Sequence, residues 1–230
     1  MAESFDPQNK AEFDRWADGY DRIHAKNVAL SGEDPEYFAV YKHRVLKEIL
    51  GRRFGEPVLD FGCGIGNLTR HLVRSFPKVD GYDPSAESVS LARQRAPEAR
   101  FFDDVDALPK EHYGAVVLAN VLHHVPPENR PGLLRIVTQR LARRGKVIVF
   151  EHNPLNPVTR KVVADCPFDE NAVLLYPREV KRLLRDAKLA KVELDYIVFF
   201  PRALAWLRPM ERRLKWLPAG AQVVAWGERR

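Results

Sequence analysis

The segment richest in chemistry is Val58-Leu59-Asp60-Phe61-Gly62-Cys63-Gly64-Ile65-Gly66-Asn67-Leu68, an apolar run that stops at three alternating glycines and passes straight into a helical pattern. Glycine tolerates positive φ and has no Cβ, so backbone there can pass close to a ligand, while the N–H groups of a following helix offer a positive dipole. Such a turn suits a polar ligand, or serves only as a tight strand-to-helix connection. A dinucleotide fingerprint spaces its glycines G-x-G-x-x-G. Counted from Gly62, the sixth position is Asn67 and the third glycine comes one residue early at Gly66, which disfavours a nicotinamide cofactor.

Two acidic positions follow the loop. Asp83, between Gly81-Tyr82 and Pro84-Ser85, stands about 20 residues on, where a doubly wound sheet places a ribose-binding carboxylate. It can equally serve as an N-cap. Asp104, in Phe101-Phe102-Asp103-Asp104-Val105-Asp106, lies where an adenine edge would follow: its carboxylate can accept from an exocyclic amine, and Val105 N–H can donate to a ring nitrogen. Solvation of a surface acidic cluster is the competing reading.

These residues need a scaffold, and the pattern around them supplies one. Before Gly55 the sequence reads as helices, with Phe38, Tyr41, Val45 and Ile49 at helical spacing within an amphipathic run from Glu36 to Leu50. After it, short apolar runs alternate with helical segments: Pro57 to Phe61, Val79 to Tyr82, Arg100 to Phe102, Ala115 to Ala119 and Lys146 to Glu151. Strands alternating with helices imply parallel pairing and right-handed crossovers, an α/β fold. Lys191 to Phe200 and Ala221 to Trp226 are further strand candidates, suited to a terminal antiparallel pair.

Together these residues resemble the class I S-adenosylmethionine-dependent methyltransferases of small-molecule type. The resemblance rests on Asp60-Phe61-Gly62-Cys63-Gly64-Ile65-Gly66, on Asp83, on Asp104 ahead of Leu108-Pro109, and on Leu118-Ala119-Asn120-Val121-Leu122-His123-His124-Val125; it covers roughly residues 12 to 152. It implies S-adenosyl-L-methionine as cofactor and a Rossmann-like seven-stranded, mostly parallel sheet with helices on both faces, an N-terminal helical cap and an antiparallel last strand. It further implies that Asp60 supports the glycine loop, that Gly62 and Gly64 face the methionine part, with Cys63, Gly66, Asn67 and Pro84 beside the cofactor, that Asp83 holds the ribose and Asp104 and Val105 the adenine, and that Asn120 borders the sulfonium. In the cap, Phe13-Asp14-Arg15-Trp16-Ala17-Asp18-Gly19-Tyr20-Asp21 looks like a segment that folds over the cofactor, with the Tyr20 ring against the sulfonium cation; Trp16 and Tyr20, four apart, equally suit a core stripe. Lys42 or Arg44 is placed to meet the cofactor carboxylate.

Methyl transfer is an in-line displacement with an activated leaving group, so alignment dominates and a base is needed only for some acceptors. Candidates for that base are His124, with its neighbour His123, after strand four, and Glu151 and His152 after strand five. A carboxylate beside an imidazole can tune its pKa, but neighbours on a strand point opposite ways, so one of Glu151 and His152 faces the site. A structural role for these histidines stays open.

Length and composition bound the rest. A chain of 230 residues, 45% hydrophobic and 30% charged, is expected to form one globular domain: a helical cap over 1–54, a cofactor-binding core over 55–152, and acceptor-side helices with the terminal strand pair over 153–230. A polar start and short apolar runs point to a cytoplasmic protein. Cys63 and Cys166 give no disulfide framework, and no partner stands near either at zinc-site spacing, so no metal is expected. The net charge of +6 is concentrated after Arg202, with seven Lys/Arg against two Glu, either as a solvated face or as an attractor of an anionic or lipid-linked acceptor. The Trp206 to Trp216 region mixes tryptophans with cations, which suits peripheral membrane contact over 203–218 or an ordinary helix packed on the sheet. Nucleic acid is not expected: the place of an Asn/Asp-Pro-Pro-aromatic motif reads Asn120-Val121-Leu122-His123, and there is no appended nucleic-acid module. An RNA or protein methyltransferase, an NAD-dependent oxidoreductase and a non-catalytic cofactor-binding protein remain the alternatives.

Overall fold

The computed structural model describes residues 31–230 other than Arg52, with only the backbone of Phe168; Trp16, Tyr20 and the rest of 1–30 lie outside the described residues. Helix α1 (Pro35–Leu50) is set by its ends. The Asp34 side chain accepts from Tyr37 N at 2.8 Å, Pro35 occupies the first turn, and Gly51, at φ 87°, ends the helix with its N–H on Lys47 O. There follow β1 (Val58–Phe61), α2 (Thr69–Leu72), β2 (Val79–Tyr82), α3 (Ala86–Arg95), β3 (Arg100–Phe102), β4 (Tyr113–Ala119), α4 (Arg130–Arg140), β5 (Leu141–His152), α5 (Pro157–Ala164), α6 (Pro177–Asp186), β6 (Ala190–Ile197), α7 (Glu211–Leu214) and β7 (Gln222–Glu228).

The seven strands form one sheet in the order β3-β2-β1-β4-β5-β7-β6. β1, β2, β3, β4 and β5 pair in parallel, while β7 runs antiparallel to both β5 and β6. This is the expected Rossmann-like arrangement with its antiparallel last strand. Two boundaries differ from the sequence reading by three residues or more. β6 stops at Ile197, where Val198 turns to φ 60°, outside extended geometry, and Phe199 and Phe200 leave the strand. β5 starts five residues early, at Leu141, with a register shift opposite Tyr113 and Ala115.

Strand alternation distributes the site residues between the two faces of the sheet. Val58 of β1, Ala115 and Val117 of β4, and Ile148 and Phe150 of β5 pack with Tyr41, Val45 and Leu46 of α1 and Leu72 of α2. Leu59, Phe61, Val116, Leu118, Val147 and Val149 pack on the opposite face with Leu133, Leu134 and Val137 of α4 and Val180 and Leu184 of α6. By that period of two, Asp60 and His152 belong to the α1 side and Glu151 to the α4 side. Each fully buried aliphatic residue in these layers stabilises the sheet by about 1.5–3 kcal/mol.

Candidate cofactor and acceptor site

The glycine loop begins where β1 ends. The N–H groups of Gly62 and Cys63 both donate to Tyr82 O, at 2.7 and 2.9 Å, which turns the chain sharply against β2. Gly62, at φ 78°, has no room for a side chain, since a Cβ would stand 2.5 Å from Val121 Cγ2. Gly64 is the opposite case: at φ 51° nothing among the described residues lies within 4 Å of the position a Cβ would take. The loop is tight against the protein at Gly62 and open at Gly64. Gly66 lies against Ala92 of α3, and the Asn67 side chain is held by the Arg95 guanidinium at 3.0 Å. The Cys63 thiol is buried, which pushes its pKa well up, and it takes part as a small apolar wall.

Asp60 and Asp83 stabilise this loop from two sides. Thr69 Oγ1, at the start of α2, donates to Asp60 Oδ2 at 2.7 Å, whereas Asp60 Oδ1 is buried with no hydrogen-bond partner among the described residues. Asp83 Oδ2 accepts from Gly64 N at 2.8 Å and Oδ1 from Ser85 N at 3.0 Å. The N-cap of α3 is Ser85, whose hydroxyl accepts from Ser88 N, so the capping role weighed for Asp83 falls to its neighbour.

Loop and acids line one cavity of about 670 Å³, within the range of about 300–1,000 Å³ typical of small-molecule sites. Asp60, Gly62, Cys63, Gly64, Asn67, Asp83, Pro84, Asn120, His124 and His152 all border it. Asp104 and Val105 do not. Phe102 lies in register with Tyr82, so Asp104 emerges on the same sheet edge as Asp83, but its side chain is exposed and accepts from Asp106 N at 2.9 Å. Val105 instead uses its carbonyl, which accepts from Arg140.

The wall opposite the loop is a cluster of imidazoles. Asn120, at φ 60°, gives its N–H to Phe150 O at 2.9 Å; its Oδ1 is buried without a hydrogen-bond partner among the described residues, and its Nδ2 lies 3.5 Å from His152 Nε2. Glu151 does not reach the cavity. It accepts from Leu122 N at 2.8 Å and contacts His123 Nδ1 at 2.6 Å, so of the adjacent pair it is His152 that faces the site. His123 Nε2 and His124 Nε2 then meet Asp169 Oδ1 at 3.4 and 3.5 Å.

Burial and charge split these groups electrically. Burial alone would lower the His123 pKa, but the Glu151 and Asp169 carboxylates hold it up at about 9. Burial would raise Glu151 and Asp169, yet contact with His123 keeps both below the usual carboxylate range. His124 and His152 go the other way, to about 3 and about 4, through burial and the nearby His123 charge, and are therefore neutral imidazoles at pH 7.

Of the two cations weighed for the cofactor carboxylate, the structure brings Lys42 to the cavity and turns Arg44 away, over the Tyr41 ring at 4.5 Å. Lys42 is buried, which lowers its pKa to about 8 against the opposing pull of Glu151 and Asp60. Asp169 was absent from the sequence candidates: it ends a short 3₁₀ turn, Pro167–Asp169, that carries no motif, 45 residues beyond His124, and only folding brings the two together.

A parallel-sheet α/β fold with a glycine loop, a strand-two acid and a cavity at the strands' carboxyl ends defines a Rossmann-like nucleotide- or cofactor-binding protein. The match to known families is narrower. The family model described as "Methyltransferase domain" matches residues 8–209, and the chain belongs to that family. An uncharacterized methyltransferase of Bacillus cytotoxicus is 30% identical over 141 residues, 59% of this chain. The chain spans 63% of that relative's length. Among solved structures, a S-adenosylmethionine-dependent methyltransferase of Thermotoga maritima, described as a possible histamine N-methyltransferase, superposes with TM-score 0.67 at 18% identity, covering 96% of this chain and 100% of that one. The magnesium protoporphyrin IX methyltransferase of Synechocystis PCC 6803, with bound S-adenosylmethionine, gives TM-score 0.62 at 17% identity over 100% of both chains. The cofactor of this fold group is S-adenosyl-L-methionine, and the cavity fits it: Asp60 and Asn120 line it, each with a buried side-chain oxygen that has no hydrogen-bond partner among the described residues, and Gly64 leaves open space above the loop.

Proposed function

We propose that this chain transfers the methyl group of S-adenosylmethionine to a small-molecule acceptor that binds between the glycine loop and the imidazole wall. The observation that carries this reading is continuity: one cavity reaches from Gly64 and Asp83 to His124 and His152. S-adenosylmethionine brings the activated methyl group. Asp60 Oδ1 is available to its ammonium, Lys42 to its carboxylate and Asp83 to its ribose, with Asp104 and Val105 at the adenine end.

Next to Asn120, His152 is a neutral imidazole bordering the cavity, and its low pKa suits it to hydrogen-bond and orient the acceptor rather than to carry off its proton. Helix α5, the Asp169 turn and Phe199-Phe200 complete the acceptor side, and the two phenylalanines reach it because β6 ends early. Calorimetry with S-adenosylmethionine and S-adenosylhomocysteine, with NAD as control, tests the cofactor half. Micromolar binding of the first two is expected, and tighter binding of NAD would overturn it. An acceptor screen that detects S-adenosylhomocysteine release tests the other half.

A second reading, a lipid-linked acceptor, has one observation in its favour. The tryptophans of 203–218 do not pack on the sheet: Trp206 is 75% and Trp216 74% exposed, on a segment that follows the cavity-lining Phe199 and Phe200. The basic charge nearby is largely committed, with Arg208 on Glu33, Arg212 on Glu48, and Lys215 on Glu48 and Asp195. Association would therefore rest on the indole rings. Co-sedimentation with anionic vesicles, lost in a Trp206→Ala/Trp216→Ala double variant, is the expected result; no association at low salt sinks it.

A further inference from the structure

We propose that His123, His124 and Asp169 form a divalent transition-metal site in the wall of the acceptor cavity, with the ion's open position facing the acceptor. The ligand atoms are His123 Nε2, His124 Nε2 and an Asp169 carboxylate oxygen, and all lie within 4.8 Å of one another. Their separations suit an ion pair or a shared ion. A charge-assisted N–H···O contact closes to about 2.7–2.9 Å. The His123–Asp169 and His124–Asp169 distances are 3.4 and 3.5 Å, within ion-pair range but longer than a closed charge-assisted bond. They also match the edge of a tetrahedron whose metal–ligand bonds are about 2.0–2.2 Å, which puts adjacent ligand atoms about 3.3–3.6 Å apart.

A second observation concerns the far side of His123. Its Nδ1 contacts Glu151 Oε2 at 2.6 Å, and Glu151 Oε1 is fixed in turn by Leu122 N at 2.8 Å. With a carboxylate on Nδ1 the ring presents Nε2 to the ion, which would displace the Nε2 proton that otherwise faces Asp169; such a carboxylate is the usual outer support of a metal-bound histidine. Two imidazole nitrogens with one carboxylate select an ion of zinc, cobalt or iron type over magnesium or calcium, which favour all-oxygen sets. All three ligands border the cavity, so a fourth position is open to an acceptor carrying an anionic or lone-pair oxygen, whose acidity the ion would raise. The sequence expectation of no metal considered only the spacing around the two cysteines; these ligands come from an adjacent histidine pair and a distant aspartate.

The role of this ion rests on the acceptor-site reading, but its binding does not, and the test keeps the two apart. Tag-free protein is titrated with Zn²⁺ and with Mg²⁺ by calorimetry, and with Co²⁺ by visible absorption, all without S-adenosylmethionine. One equivalent of Zn²⁺ should bind, and Co²⁺ should give the intense bands of a four- or five-coordinate site. His124→Ala and Asp169→Asn should each abolish those bands, and Glu151→Gln should weaken Zn²⁺ by about 10–100-fold. S-adenosylmethionine affinity, measured on every variant, reports an intact fold and should hold. Zn²⁺ no tighter than Mg²⁺, a six-coordinate Co²⁺ spectrum in the wild type, or equal Zn²⁺ affinity in His124→Ala and Asp169→Asn each overturns the site. Zn²⁺ binding without S-adenosylmethionine binding would overturn the cofactor reading alone.

Discussion

The Asp83 carboxylate stands 2.8 Å from the backbone N–H of Gly64, so the acid at the end of β2 closes onto the middle glycine of the loop that follows β1. One oxygen is committed to the loop and the other to Ser85 N, which fixes the carboxylate at the rim of the cavity. Replacing it should therefore act twice, by removing a charged acceptor and by releasing the loop. Asp83→Ala is expected to weaken S-adenosylmethionine binding by about 1.5–3 kcal/mol, the range for hydrogen bonds to a charged group. Calorimetry on the variant, with circular dichroism to confirm the fold, checks it; unchanged affinity would remove Asp83 from the site.

The glycine loop predicts a separation of stability from binding. Gly62→Ala forces a methyl group to 2.5 Å from Val121 and a Cβ onto φ 78°, and should cost about 2–4 kcal/mol of stability from overpacking and backbone strain together. Gly64→Ala meets no atom of the described residues within 4 Å, so only the strain of about 1–2 kcal/mol remains, yet its methyl group projects into open space at the cavity. Urea melts should rank Gly62→Ala as the less stable, and cofactor affinity corrected for folded fraction should rank Gly64→Ala as the weaker binder. The reverse order would contradict the placement of the ligand above Gly64.

Asp60 is held at a cost that pH reveals. Burial raises its pKa to about 6 from an ordinary 3.8, against the opposing help of the Thr69 hydroxyl and Lys42. With the folded value above the unfolded one, the folded state binds more protons between those values, so stability contributed by this group falls as pH rises from about 4 to about 6 and the penalty is complete above that. Asp60→Asn keeps an acceptor for Thr69 Oγ1 and removes the charge. It should match the wild type near pH 4 and exceed it by up to about 3 kcal/mol at pH 7, less whatever Lys42 loses in compensation. Cofactor binding should weaken in the same variant. Denaturation at the two pH values decides, and a destabilised variant at pH 7 would show that the carboxylate is favourable where it stands.

How much of this was written locally in the chain differs by element. The glycine loop and Asp60 were legible because one strand–turn–helix unit carries them, and Asp83 because it ends the next strand; parallel pairing, though not the strand order, followed from alternating strands and helices. Glu151 and His152 could be separated only in principle from the period of two; the structure shows His152 on the cavity and Glu151 behind it, bound to His123. Asp169 had no signal, since its meaning depends on a contact with a histidine pair 45 residues earlier. The tryptophans of 203–218 were ambiguous because the same residues suit a packed helix or an exposed one; Trp206 lies on a kinked 3₁₀ segment over Arg202–Met210 with Pro209 inside it, Trp216 follows α7, and both are exposed.

Lys42 offers a pH test of the cofactor's methionine end. It projects from α1 among Asp60 of β1 and Glu151 and His152 of β5, and burial lowers its pKa to about 8 although both carboxylates oppose that. Below pH 8 the side chain is cationic and attracts the cofactor carboxylate; above it the free protein carries a neutral amine that must take up a proton on binding. Affinity for S-adenosylmethionine should therefore hold steady from pH 7 to 8, and then fall by up to about tenfold per pH unit until the pKa of the complex is reached. Asp60, which titrates near pH 6, adds a separate change on the acid side, where losing its charge removes the partner of the cofactor ammonium. Lys42→Gln should bind more weakly at pH 7 and lose the alkaline slope, while Lys42→Arg should keep the affinity to higher pH. Calorimetric titrations at matched ionic strength measure all three, and an alkaline slope that survives in Lys42→Gln would assign it to another group.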